Sequence, residues 1–222
     1  MAGPPRRQPL KTRLQNRVDP FGTLTAAHER GTLTGNRGGR LHRADQTLGA
    51  ARWKSAQWIS CLCAFKGRRR AVWGAGYTEL FFLDEVTALA AGHRPCFECR
   101  RADALAFQSA FSAGQRGAKD GTRLQAPEMD ALLHRERLAS ARPVARHVSL
   151  SGLPDGAMVA DGATAFALRG GRMLAWSFAG YASATAVDAG ATFDLLTPPC
   201  IIAALTQGYR PLWHASAARI ES

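Results

Sequence analysis

Cys96 and Cys99 stand two residues apart in "GHRPCFECRR", and Cys61 and Cys63 flank a single leucine in "WISCLCAF". A Cys-x-x-Cys turn presents two thiolates to one ion at about 2.3 Å each. A closed tetrahedral zinc site needs two further ligands. Cys61 and Cys63 are the candidates, because strand alternation aims residues i and i+2 at one face. The expected set is therefore Cys61, Cys63, Cys96 and Cys99 around Zn2+. One intervening residue is a less common ligand spacing than two or three, so His42 and His93 stand as alternatives for one member of the first pair. A redox dithiol would open a helix after a parallel strand; this pair follows a helix stop instead. Cys200, in "LTPPC", reads as a small buried residue.

Four thiolates on one zinc ion carry a local charge of about −2. Arg94, Arg100, Arg101 and the turn Arg68, Arg69 and Arg70 are placed in sequence to offset it. The wider charge pattern points further. Residues 1–76 hold 15 Lys and Arg against 3 Asp and Glu, while the remainder balances at 14 of each. The first third thus supplies the whole net charge of +12. A basic block of this kind attracts a polyanion through phosphate contacts and counterion release. Nucleic acid, DNA before RNA, is the expected partner. The expected contacts are Arg37 and Arg40 of the "GNRGGR" loop, Lys66, Arg68, Arg69, Arg70, Arg94, Arg100 and Arg101. Trp53, Trp58 and Trp73 are candidates for stacking on exposed bases.

These groups need elements to hold them. Residues 1–17 lack apolar periodicity and read as a disordered basic arm. Residues 18–147 form the basic, zinc-binding region. Short strands are expected near Gly22–Thr25 and Thr32–Thr34, and a buried strand over 56–65. A returning strand over "AVW" and another over "YTELFF" at 77–82 follow. Asp84 is placed to cap a helix running to Ala91. Gly92 ends it in the left-handed region, and Pro95 blocks its continuation, so the cysteine pair falls on a knuckle. Helices are expected over 102–113 and 128–137. Residues 148–222 read as a small β unit with "DG" and "GG" turns, closed by a helix at 199–207. "ALAAGHRP" at 88–95 and "ALTQGYRP" at 204–211 share Ala-Leu, Gly and Arg-Pro, as a common helix-stop device would require. The fold class is α+β: a small zinc-stabilised α/β module with an Arg-rich N-terminal region and a C-terminal β unit ending in a helix.

The stretch "LFFLDEVTALAAGHRPCFECRR" resembles the metal-binding domain of Ada-type DNA alkylation-response proteins. Phe81, Phe82, Ala88, Ala90, Ala91, Gly92, Arg94, Pro95, Cys96 and Cys99 carry the resemblance. It is strong over about twenty residues and loose over 58–103. It implies a four-cysteine zinc site with Cys96 and Cys99 as the second pair, and a place in DNA repair or the damage response. The departure lies upstream. The family's first pair is Cys-x-x-x-Cys, and one of those thiolates accepts a methyl group; here the spacing is Cys61-x-Cys63. Methyl acceptance therefore does not carry over with the motif.

The reading that follows is a noncatalytic, zinc-binding, nucleic-acid-binding protein. The alternatives are an enzyme on DNA and a scaffold. The enzyme would be a zinc-thiolate alkyl acceptor at Cys61 or Cys63, or a nuclease using Asp19, His28, Glu29 and His42. The scaffold would bind a protein partner through residues 149–215. No apolar run is long enough to span a membrane. The basic N-terminus lacks the apolar stretch of a signal peptide, so a cytoplasmic location is expected.

Overall fold

The computed structural model describes residues 13–67, 72–116, 122–140, 147–186 and 190–220. It is an α+β fold with two six-stranded sheets. The first sheet uses β1 (Arg17–Val18), β2 (Leu24–Thr25), β3 (Leu33–Asn36), β4 (Ile59–Leu62), β5 (Leu80–Phe82) and β6 (Arg94–Pro95). Their spatial order is β2-β1-β5-β3-β4-β6. The β1–β5 and β4–β6 pairs are parallel, and the others antiparallel. The second sheet uses β7 (His147–Ser149), β8 (Met158–Asp161), β9 (Thr164–Arg169), β10 (Arg172–Ser177), β11 (Gly180–Ala186) and β12 (Thr192–Leu195). It is wholly antiparallel, in the order β11-β10-β9-β8-β12-β7.

Four α-helices and one 3-10 helix complete the described residues: α1 (Glu85–Ala90), α2 (Arg101–Arg116), α3 (Ala126–Ser140), α4 (Pro199–Thr206) and the 3-10 helix Ala215–Ile220. Helix α1 begins where expected, with the Asp84 carboxylate accepting from Thr87 N at 2.9 Å. It ends at Gly92, whose φ is +78°. Gly92 N donates to Leu89 O and His93 N to Ala88 O, each at 2.8 Å. Helix α4 ends in the same pattern. There Gly208 N donates to Leu205 O and Tyr209 N to Ala204 O. This paired bond is the Schellman stop, and it is the physical content of the sequence echo.

The apolar residues cover both sides of the boundary expected at 147/148. Phe107 and Phe111 of α2 pack with Met129 and Leu133 of α3 and with Ile201 and Leu205 of α4. Leu83, Val86 and Ala90 pack against Met158, Leu174 and Tyr181 of the second sheet. Burying each such side chain contributes about 1.5–3 kcal/mol. The apolar strands of residues 149–215 are thus largely spent on internal packing.

Some elements differ from expectation. Residues 1–12 of the expected arm lie outside the described residues, but Arg17 is already in a strand, paired with Thr25 and Phe81. The strand expected over 56–65 is regular only for Ile59–Leu62, and that over 77–82 only for Leu80–Phe82. No strand returns at 72–73; Trp73 sits there at φ +57° in a turn and buries its ring on His42, 5.0 Å between centroids. Among the described residues, no helix is long and apolar enough to cross a membrane.

Candidate metal centre

The parallel pairing of β4 with β6 brings two of the cysteines together. Ile59 lies opposite Arg94 and Ser60 opposite Pro95. One step further along both strands stand Cys61 and Cys96. Cys96 N donates to Ser60 O at 3.0 Å, which fixes that register. Pro95 then prevents helix formation for one turn, and the chain folds over residues 96–100 before α2 begins. Arg100 N donates to Cys96 O at 3.0 Å, and this knuckle returns Cys99 toward Cys96. The sulfurs of Cys61, Cys96 and Cys99 all lie within 4.8 Å of one another, and all three residues are buried. Ile59 and Phe65 cover them. Among the described residues, no other group of three His, Cys, Asp or Glu is so disposed.

The donor set fits a soft divalent ion. In a tetrahedral site with metal–sulfur bonds of about 2.3 Å, the sulfurs sit about 3.8 Å apart. The observed cluster needs little contraction to reach that. The sulfurs also accept backbone N–H groups, as thiolate does: Glu98 N approaches Cys96 Sγ at 3.4 Å. A hydrogen bond from Cys61, with backbone N–H groups of Cys99 and Glu98, lowers Cys96 from 9.0 to about 5. Cys99 is lowered by Cys61 and by the Leu62 backbone. Cys61 is the member that keeps its proton, raised by its hydrogen bonds to Cys96 and Cys99. The knuckle is therefore polarised toward thiolate before any ion is considered, with one proton shared inward.

The fourth expected ligand is placed differently. β4 ends at Leu62, so Cys63 no longer follows the strand alternation that pairs it with Cys61. It is exposed, and its thiol donates to Thr32 O at 3.4 Å. His93 and His42 lie elsewhere. His93 is buried between Phe82 and Trp58 and accepts from Arg37 at 3.3 Å. His42 stacks on Trp73, and its Nδ1 lies 2.8 Å from Thr78 Oγ1. Asp19 Oδ1 accepts from Thr23 N, and burial raises its pKa.

The arginines divide into two groups. Arg94 is 1% exposed and grips Asp130 with Nε and Nη2, both at 2.8 Å. Arg100 is 3% exposed and donates to Glu85, Asp103 and Ser60. Arg37 is 2% exposed and lies over Trp58. Arg94 and Arg100, held by buried acids in this way, brace the fold and offer little to a phosphate in solution. Arg40, Lys66 and Arg101 are exposed, as are Arg43, Arg52 and Lys54. Arg68, Arg69 and Arg70 lie outside the described residues. Trp58 and Trp73 are buried, which leaves Trp53, half-buried, as the accessible one of the three.

Sequence reasoning placed Asp84 as a helix cap but missed Glu85 and the long-range ties that both carboxylates make behind the knuckle. Asp84 and Glu85 are both fully buried. Asp84 accepts from Thr87, Tyr181 OH and His214 N; Glu85 accepts from Arg100, Tyr209 OH and Leu212 N. The available signal was a pair of acids entering a short, largely apolar helix, which demands partners once they are buried. No family model, curated protein or solved structure matches this chain. The cysteine cluster therefore stands on its own geometry, and the resemblance of residues 81–101 brings no family assignment.

Proposed function

We propose that this chain is a zinc-binding protein that binds nucleic acid, DNA in preference to RNA. The observation that carries the metal half is the buried trio Cys61, Cys96 and Cys99. These residues would hold the ion, and Cys63 would complete the set once its thiol leaves Thr32 O. Bound zinc would neutralise the thiolates and cross-link β4 to the knuckle, which is a structural role and not a catalytic one. The nucleic-acid half rests on charge. Arg40, Arg43, Arg52 and Lys54 are exposed cations of the β3–β4 connection, and Lys66 and Arg101 add to them. These six are the proposed phosphate contacts, and a place in DNA repair is the matching biological setting.

The test has two readouts on purified full-length protein. Metal analysis should find one zinc per chain, lost in Cys96→Ser. Binding to duplex DNA should weaken with salt at a slope of about −0.9 per phosphate contact in a log–log plot. A zinc-free wild type would remove the metal half. A salt-independent or undetectable association would remove the nucleic-acid half.

A further inference from the structure

Two guanidiniums meet at one indole, and among the described residues neither has an ion pair. Arg37 Cζ lies 4.1 Å and Arg137 Cζ 4.3 Å from the Trp58 ring centre. Arg37 gives Nε to His93 Nε2 and Nη2 to Gly22 O. Arg137 gives Nη1 to Ala56 O at 3.0 Å. Its Nε and Nη2 are buried and have no hydrogen-bond partner among the described residues. Those two atoms form the side-on edge of the guanidinium fork. Arg94 offers the same edge to Asp130, with two bonds of 2.8 Å. In Arg137 that edge is unmatched.

The surroundings do not supply the missing negative charge. Among the described residues, neither Arg37 nor Arg137 forms an ion pair. Asp130 is the acid that acts most on Arg137, but both its oxygens already hold Arg94. Asp19 acts on Arg37 only at a distance. His93 is neutral, because burial and then Arg37 lower its pKa far below the ordinary range. Arg52 adds a third positive charge to the field at Arg37. Burial, and secondarily Arg137, lowers Arg37 to about 9; burial lowers Arg137 to about 10. Both remain charged at neutral pH. A buried charge without a partner is costly, and an unmatched buried donor calls for a specific explanation. Arg137 packs directly on the helix stop: a Cβ at Gly92 would fall 2.9 Å from its Nε and 3.0 Å from its Cγ.

We propose that Arg37 and Arg137 form a binding site for a phosphate group, with Trp58 as its wall and Arg52 at its exposed margin. The Nε–Nη2 edge of Arg137 is the bidentate donor, suited to two oxygens of one phosphate. Arg37 contributes charge and its remaining Nη1. Because the edge is shielded from bulk water, occupancy needs a local shift at the margin, where Arg52 and Lys54 are exposed. The site is separate from the cysteine cluster and does not depend on zinc. Its ligand has two sources, free phosphate or the terminal phosphate of a nucleic-acid strand.

Thermal melts of the full chain in sodium phosphate and in sodium chloride, matched for ionic strength, test the site directly. Wild type should melt higher in phosphate, with a saturable dependence on its concentration. Arg137→Met should lose that dependence and bind phosphate about tenfold or more weakly. In chloride it should melt no lower than wild type, because an unmatched buried charge has been removed. Arg137→Lys, which keeps the charge but not the fork, should retain only part of the phosphate effect; it decides the matter should the methionine variant not fold. Equal melting of wild type in the two salts overturns the proposal, as does an undiminished phosphate effect in Arg137→Met. The sources separate with a short oligonucleotide carrying or lacking a 5′-phosphate. A preference for the phosphorylated form, abolished in Arg137→Met, assigns the site to strand ends. A response to inorganic phosphate without that preference assigns it to the free ion.

Discussion

Arg100, the residue after the last cysteine of the cluster, donates Nη2 to Glu85 Oε2 at 2.7 Å, and both side chains are fully buried. The same carboxylate accepts from Tyr209 OH at 2.7 Å and from Leu212 N at 2.8 Å. The knuckle, helix α1 and the segment after α4 are therefore tied at one acid. Glu85→Gln keeps the shape and removes the charge. It leaves Arg100 with the partly exposed Asp103, at 3.0 Å, as its acidic partner among the described residues. We expect a loss of about 3 kcal/mol in urea denaturation, in the range found when one member of a buried pair is removed. An unchanged midpoint would show that Asp103 suffices and that Glu85 is not the tie.

The neighbouring acid makes a second tie. Tyr181 OH donates to Asp84 Oδ2 at 2.9 Å, and His214 N shares that oxygen at 3.0 Å. Burial raises the pKa of Asp84, so each donor matters to keeping it ionised. Tyr181→Phe and Tyr209→Phe should each cost about 1.5–3 kcal/mol, the usual worth of a hydrogen bond to a charged group. The two act on different carboxylates, yet Asp84 and Glu85 are adjacent. A double-mutant cycle should return a coupling outside the error of simple addition. Strict additivity would mean that the two acids anchor the C-terminal segment independently.

Much of the scaffold was legible in the sequence, and the reason is local. Asp84, Gly92 and Pro95 announce a helix, its stop and a knuckle through backbone chemistry that acts within a few residues. The repeated Ala-Leu, Gly, Arg-Pro pattern gave the second helix stop in the same way. Cys96 and Cys99 were placed correctly by the same local logic. The first pair was harder, because strand alternation holds only where the strand does, and β4 ends between Cys61 and Cys63. The fate of the arginines was not legible. Arg94 finds Asp130 and Arg100 finds Glu85 across long sequence separations, and spacing along the chain does not encode such partners. A cluster of arginines around a motif reads as a basic face until the fold shows which of them it has consumed.

The four cysteines should not be equivalent. Serine substitution at Cys61, Cys96 or Cys99 removes one of three buried sulfurs held in contact, and should abolish zinc retention through gel filtration. Cys63 lies outside the trio and is engaged with Thr32 O. Cys63→Ser should therefore keep near-stoichiometric metal when zinc is in excess but release it faster to a chelator. Equal and complete loss in all four variants would instead put Cys63 on the same footing as the trio. A Cys63→Ser protein indistinguishable from wild type in release rate would take it out of the ligand set.

The cluster should also leave a signature in the pH dependence of the metal-free chain. Cys96 is lowered to about 5 by its hydrogen bond from Cys61 and by backbone N–H groups, so the folded chain holds a thiolate there that the unfolded chain does not hold until pH 9. A lowered acid contributes stability that is complete above the unfolded value and is lost as pH falls through the folded one. Cys99, lowered chiefly by its own hydrogen bond with Cys61, acts with the same sign. Cys61 is raised by its bonds to the other two, so above pH 9 it acts in the opposite sense. Stability in chelator and reductant should thus climb from pH 5 to pH 9 by the part the cluster supplies. Urea midpoints of wild type and Cys96→Ser, measured across that window, should converge toward pH 5 and separate toward pH 9. A constant difference would mean that Cys96 supports the fold by packing alone. Adding zinc to wild type should flatten the upper part of the profile and steepen the acid limb, because protons then compete with the ion for the sulfurs.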